Sequence, residues 1–133
     1  MSRLVAALAA AVLLTVVAGA EEQKPAGPRI RVEPESFDFG RVLQDKTLRK
    51  AFTIRNFGDA DLAIEDVSSS CDCTAAQPEA NLVAPGGSTS LRIELRTRRS
   101  SGRLERQVVV RSNDANTPLL SITLSATVEA RTR

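Results

Sequence analysis

Residues 119–128 (LLSITLSATV) form the longest alternating apolar run in the chain. Its inward row would hold Leu120, Ile122, Leu124, Ala126 and Val128. Successive side chains of a β-strand point to opposite faces, so this run predicts a strand with one buried face. Shorter apolar runs of strand length precede it at 30–32, 37–39, 48–54, 62–64, 82–83, 89–95 and 108–110.

Turn residues separate these runs. Asn56 to Asp59 reads as a turn in which Gly58 can take positive φ, and Pro85–Gly86 is the pair typical of a type II turn. Residues 112–117 (SNDANT) are rich in side chains that bond to nearby amides. With no sustained helical period after residue 20, the pattern predicts an all-β fold. We expect an immunoglobulin-like antiparallel β-sandwich of about seven strands over residues 30–130.

The first 20 residues have the features of an export signal. A short positive start is followed by an uncharged run from Leu4 to Ala20 that ends in Ala18-Gly19-Ala20, the small residues a signal peptidase reads. Residues 21–29 (EEQKPAGPR) then read as a flexible leader. We therefore expect a periplasmic or extracellular protein with no stable membrane anchor once the signal is cleaved.

Composition excludes several functions. The chain has no His, Trp or Tyr, so it lacks a Ser-His-Asp or Cys-His pair, a His-ligated metal and an aromatic platform for sugars or bases. The four Phe are expected in the core. Loss of Arg3 with the signal would lower the net charge from +2 to +1, which is too small to steer the whole protein to nucleic acid. We expect a protein that is not an enzyme and that has no cofactor.

The stretch 68–74 (SSSCDCT) contains both cysteines of the chain. In an extended strand, Cα atoms two residues apart are separated by about 6.6 Å, close to the upper limit of about 6.8 Å for a disulfide. A bend at Asp72 would bring Cys71 and Cys73 within range. Export favours a Cys71–Cys73 disulfide. One interpretation is that the pair has a purely structural role. The other interpretations are exchange with partner thiols and Cu(I) binding by both thiolates. A zinc site would need further ligands from a second chain.

An arginine-rich segment, 96–106, is predicted to form a hairpin whose tip could bind anions or could simply be solvated. Its basic residues are Arg96, Arg98, Arg99, Arg103 and Arg106.

With these residues placed, the chain resembles the bacterial domain-of-unknown-function family fifteen-seventy-three (DUF1573), whose sandwich is similar to the ASPM/SPD-2/Hydin and major-sperm-protein domains. The resemblance covers about residues 30–126. It rests on Phe37-Asp38-Phe39-Gly40 with Val42, Phe52 through Asn56 with Gly58, Leu62 and Ile64, Ser70-Cys71-x-Cys73-Thr74, Pro85-Gly86, and Ser112-Asn113-Asp114 before Pro118.

Two residues depart from the family pattern. Asp45 and Asp72 stand where a glycine is usual. Aspartate tolerates left-handed backbone better than most residues, so the turns can form. The Asp72 carboxylate would, however, disfavour a thiolate beside it.

The resemblance implies the fold and export rather than an activity. We expect an exported, non-enzymatic interaction module whose partner is a protein. The alternative is a thiol redox or Cu(I)-handling protein that acts through Cys71 and Cys73.

Overall fold

The computed structural model describes residues 27–131, which form nine β-strands. The predicted signal peptide and leader residues 21–26 lie outside the described residues. The strands are β1 (Ile30–Glu33), β2 (Ser36–Leu43), β3 (Thr47–Asn56), β4 (Leu62–Ser69), β5 (Thr74–Pro78), β6 (Leu82–Val83), β7 (Ser88–Arg96), β8 (Gly102–Ser112) and β9 (Leu119–Glu129). No helix in this range could cross a lipid bilayer.

The strands form two sheets. One has four strands in the order β1-β3-β7-β5, and the other has five in the order β2-β9-β8-β4-β6. The all-β, immunoglobulin-like sandwich is therefore confirmed. One ladder differs from the expected antiparallel pattern, because β2 runs parallel to β9 with a bulge between Asp38 and Arg41.

The nine strands exceed the expected number of about seven, and only β5 has no counterpart among the apolar runs of the sequence. Pro34 follows β1 and has no N–H to donate to a ladder. After Pro34 the chain crosses from the four-stranded sheet to the five-stranded sheet, where it forms β2. β5 (TAAQP) has too little apolar content to be predicted from its sequence, and its ladder with β7 defines it.

Apolar rows from both sheets meet in one core. Its largest fully buried side chains include Phe52, Ile54, Leu91, Ile93, Ile122 and Leu124. Of the four phenylalanines, only Phe52 is fully buried; Phe37 and Phe39 pack against the core from its margin. Phe57 is 51% exposed, which corrects its expected place in the core, because it lies in the β3–β4 turn beneath the Arg31 guanidinium.

Asn56, at the end of β3, joins three segments of the chain. Its buried side chain accepts hydrogen bonds from the N–H groups of Arg29 (3.2 Å) and Gly58 (2.9 Å). It donates to the carbonyl oxygens of Ala60 (2.7 Å) and Val83 (3.0 Å). The end of the leader, the β3–β4 turn and β6 are thereby tied to β3.

Gly58 is required for a different reason from the one predicted. It does not have the positive φ expected of a turn glycine. A Cβ at this position would instead overlap the backbone of residues 27–29, including the carbonyl oxygen of Gly27. The last three residues of the predicted leader thus pack directly against this turn.

Asp114, in the β8–β9 hairpin, is buried and accepts hydrogen bonds from the N–H groups of Ile30 (2.9 Å), Asn116 (2.9 Å) and Thr117 (3.3 Å). Burial raises the pKa of this carboxyl, but the three donors and the nearby Arg29 charge outweigh it and hold the pKa below its ordinary value. The carboxylate therefore stabilises the fold above the ordinary pKa of 3.8, and this contribution is lost as pH falls through the lowered value.

Candidate functional site

The two cysteines lie in the connection from β4 to β5, where the chain passes from the five-stranded to the four-stranded sheet. The Thr74 N–H donates to the Cys71 carbonyl oxygen (3.2 Å), which closes a turn over residues 71–74, here called the cysteine turn. The turn shortens the Cys71–Cys73 Cα distance to 5.2 Å and places the sulfur atoms at disulfide distance. The bend expected at Asp72 is therefore present.

Hydrogen bonds from both sheets hold the cysteine turn. The Ser69 hydroxyl lies 2.8 Å from the Cys71 carbonyl oxygen and 2.9 Å from that of Thr74, so it can donate to either. On the other side, the Arg96 N–H in β7 donates to the Cys73 carbonyl oxygen (2.9 Å). The backbone of the turn is thus fixed by contacts that do not involve the sulfur atoms.

The two cysteines have different surroundings. Cys73 is only 6% exposed and packs with Leu95, Leu104 and Val128 at one end of the core. Cys71 is half-buried at the margin of the same cluster. The N–H of Cys73 lies 3.2 Å from Cys71 Sγ and points its hydrogen at that sulfur.

Charged side chains flank the turn. A carboxylate oxygen of Asp72 lies 3.6 Å from Cys71 Sγ, and an Arg98 guanidinium nitrogen lies 3.5 Å from the same oxygen. Arg98 (φ 47°) and Asp45 (φ 58°) are the two non-glycine residues with positive φ in the described range, and the Asp45 N–H donates to the Arg98 carbonyl oxygen (2.8 Å). Asp45 therefore adopts the left-handed conformation expected at a glycine position.

The arginine-rich segment 96–106 is not a hairpin, which corrects the prediction. β7 and β8 belong to different sheets, so residues 97–101 cross from one sheet to the other. Its arginines consequently point in different directions. Arg96 is on the outer side of the four-stranded sheet, Arg103 pairs with Asp38 on the other sheet (3.0 Å), and Arg106 is on the inward-facing row of β8.

A different arginine cluster lies on the outer side of the four-stranded sheet, here called the basic face. Its five arginines face two glutamates, Glu33 and Glu94, which gives the strand residues of this face a net charge of +3. Glu79 adds one negative charge just beyond β5. The arginines are Arg31, Arg49, Arg55, Arg92 and Arg96.

The charge on the basic face is only partly neutralised. Arg49 pairs with Glu94 (2.9 Å) and Arg55 with Glu33 (3.6 Å), whereas the other three arginines have no carboxylate partner within residues 27–131. Ala51, Ala75 and other small residues lie between them. Two shallow depressions on this side share Arg92 and Glu94 in their lining.

The outer side of the five-stranded sheet has the opposite balance. Its strands present three arginines and five carboxylates, and each arginine is within 4 Å of a carboxylate. The pairs are Arg41–Glu129, Arg103–Asp38 and Arg111–Glu65. Of the two outer sheet surfaces, therefore, only the basic face presents arginines without a carboxylate partner among residues 27–131.

For a metal, the described part of the chain offers no group of three or more His, Cys, Asp and Glu side chains that could hold an ion. A Cu(I) ion bound by Cys71 and Cys73 alone stays a prediction, and it would require both sulfurs as thiolates.

A family model described as "Protein of unknown function (DUF1573)" matches residues 30–128, which confirms the resemblance based on the sequence motifs. No curated protein matches the chain.

Solved structures share the fold. A protein of unknown function from Porphyromonas gingivalis W83 is 24% identical with a TM-score of 0.67; the match covers 77% of this chain and 47% of that one, so this chain spans about half of its length. The ASH/PapD-like domain 7 of human CEP192 is 15% identical, with a TM-score of 0.63 and 77% and 87% coverage. SSP-19, an MSP-domain protein of Caenorhabditis elegans, is 18% identical, with a TM-score of 0.54 and 72% and 97% coverage.

Proposed function

The chain belongs to the DUF1573 family of proteins of unknown function, and from that premise we propose that it is an exported, non-enzymatic module that binds a protein with an acidic surface through its basic face. The observation that carries this proposal is the unpaired positive charge of Arg31, Arg92 and Arg96 on one outer sheet surface. Charge complementarity of this kind steers association and selects partners.

The chemistry of the basic face favours a protein partner. Arginine donates bidentate hydrogen bonds to carboxylates and is enriched in protein interfaces. The side chains between the arginines are Ala, Ser, Thr and Gln, which can approach a second surface closely. Nucleic acid is disfavoured by the near-neutral total charge and by the absence of Trp and Tyr.

Export is supported by the uncharged run from residue 4 to residue 20 and by two sulfurs at disulfide distance, a pairing that persists in oxidising compartments. The proposed location is the periplasm or the cell exterior.

The cysteine turn supports a second candidate function, thiol–disulfide exchange with a partner. The observation that favours it is the difference between the two sulfurs, since Cys71 is accessible and receives an N–H while Cys73 is buried. Cu(I) handling by the same pair would be confined to the reduced protein.

The basic-face proposal predicts where an acidic polypeptide binds. We expect poly-L-glutamate, titrated at low ionic strength into the ¹⁵N-labelled protein, to shift amide resonances of β1, β3 and β7 around Arg31, Arg55 and Arg92. The physical reason is that carboxylates will concentrate where positive charge is least neutralised. Amide chemical shifts recorded by NMR give the location directly.

Duplex DNA in the same titration is the comparison. Shifts centred on the 97–101 crossover, or tighter binding of DNA than of poly-L-glutamate, would contradict the proposed surface or the proposed class of partner, respectively.

A further inference from the structure

Only one of the two sulfurs is accessible to a partner. Cys73 Sγ is enclosed by the apolar cluster that contains Leu95, Leu104 and Val128, whereas Cys71 is at the margin of that cluster. Thiol–disulfide exchange proceeds by attack of one sulfur along an open path to another. Access alone therefore distinguishes the two cysteines.

The surroundings of Cys71 also suit a negatively charged sulfur. The Cys73 N–H, 3.2 Å from Cys71 Sγ, would donate to a thiolate in the reduced protein. The turn that aims this N–H is held by Ser69, Thr74 and Arg96, so the geometry does not depend on the sulfur–sulfur bond.

An arginine adds positive charge near Cys71. Arg98 lies against the Asp72 carboxylate and so offsets the one negative group beside the sulfur.

From these observations we propose that Cys71 is the exchanging sulfur and Cys73 the resolving sulfur; this inference rests on the second candidate function. In the reduced protein, the Cys71 thiolate attacks one sulfur of a partner disulfide. A Cys71–partner S–S bond forms, the partner bond breaks and a partner thiolate leaves. Cys73 then loses its proton to solvent and attacks Cys71 Sγ.

The second attack forms the Cys71–Cys73 bond and releases the other partner thiolate. In total, two electrons pass from the cysteine pair to the partner disulfide, which becomes two thiols. A partner dithiol reverses these steps and reduces the Cys71–Cys73 bond.

The test uses the full chain, reduced and then mixed with glutathione disulfide as the probe. Cys73→Ser should accumulate a mixed disulfide on Cys71, and Cys71→Ser should form one on Cys73 at least about tenfold more slowly, because Cys73 is buried. Intact mass spectrometry at timed intervals measures both rates. On the reduced wild type, limiting iodoacetamide followed by peptide mapping should label Cys71 first, which avoids any folding defect of a variant.

Asp72→Asn supplies an electrostatic check, since removal of the negative neighbour should raise the Cys71 rate by about threefold. Equal rates for the two single variants, with equal alkylation of the wild type, would overturn the role assignment while leaving exchange intact. If the reduced wild type fails to exchange under conditions in which an unstructured cysteine peptide does, the second candidate function itself is wrong.

Discussion

Replacing Phe52 by Ala is expected to lower the free energy of unfolding by about 3–5 kcal/mol. Phe52 is at the centre of β3, only 1% exposed, among residues contributed by both sheets. The change removes an aromatic ring from a packed interior and leaves a cavity that the two sheets cannot fill without moving. Urea unfolding of the purified protein at neutral pH, followed by circular dichroism, measures the loss.

Phe57→Ala is the matched control. Its half-exposed ring contacts the Arg31 guanidinium, and an exposed pair of this kind contributes about 0.5–1 kcal/mol. A similar loss for both variants would show that burial does not distinguish the two phenylalanines and that the assignment of the core face is wrong.

Asn56→Ala is expected to destabilise the fold by about 3 kcal/mol or more. The substitution leaves the N–H groups of Arg29 and Gly58 and the carbonyl oxygens of Ala60 and Val83 without their partner. A buried polar group without a partner costs about 1–3 kcal/mol, and water can reach some of these four because they are only partly buried. Urea unfolding provides the measurement.

Asn113→Ala tests whether burial is the cause. Asn113 also makes two side-chain hydrogen bonds, to the Ala63 N–H (2.8 Å) and to the Asp61 carbonyl oxygen (3.1 Å), but at an exposed position. Its loss should be about 1 kcal/mol, because water replaces both partners. If Asn113→Ala costs as much as Asn56→Ala, the proposed role of Asn56 as a buried link between segments fails.

Much of the fold follows from local patterns in the sequence. Alternation along β3, β7 and β9 identifies inward rows containing Phe52, Ile93 and Ile122, all of which are buried. Pro85–Gly86 identifies its turn, in which Gly86 has φ of 75° and the Gly87 N–H donates to Ala84. These features depend on side-chain direction and on backbone φ, both of which are local properties.

Alternation is less informative where polar residues occupy inward rows. Lys50 shares the parity of Phe52, and its ammonium lies over the Phe37 ring at the margin of the core. Arg106 lies between the buried residues Leu104 and Val108 on β8. The apolar stem of a long basic side chain can pack against the interior while its charged end reaches solvent. The sequence alone therefore does not predict that Lys50 and Arg106 lie on inward rows.

The basic face depends on which strands share a sheet. Arg31, Arg55 and Arg92 each belong to an exposed row of a separate strand, and their sequence positions do not show that these strands are neighbours. The same non-local information decides that residues 97–101 form a crossover. Segment 96–106 has the highest local density of arginine in the sequence, but its arginines do not gather on one surface of the fold.

The cysteine turn is easier to predict, since the bend at Asp72 follows from the short distance that a disulfide between cysteines two residues apart requires. The sequence does not predict the difference in burial between Cys71 and Cys73, because Leu95, Leu104 and Val128 lie on three other strands, β7, β8 and β9.

The basic-face interaction is tested most directly by two double variants with the same change in charge. Arg92→Glu/Arg96→Glu alters the basic face, and Arg103→Glu/Arg111→Glu alters the outer side of the other sheet. Proteins retained from a cell-envelope extract by the immobilised wild type are identified by mass spectrometry and purified, and their Kd is measured by calorimetry. For an acidic partner, the first variant should weaken Kd by at least about tenfold, about 1.4 kcal/mol, and the second by less than about threefold. Equal weakening by both variants, or an unchanged Kd for the first, would contradict the proposal.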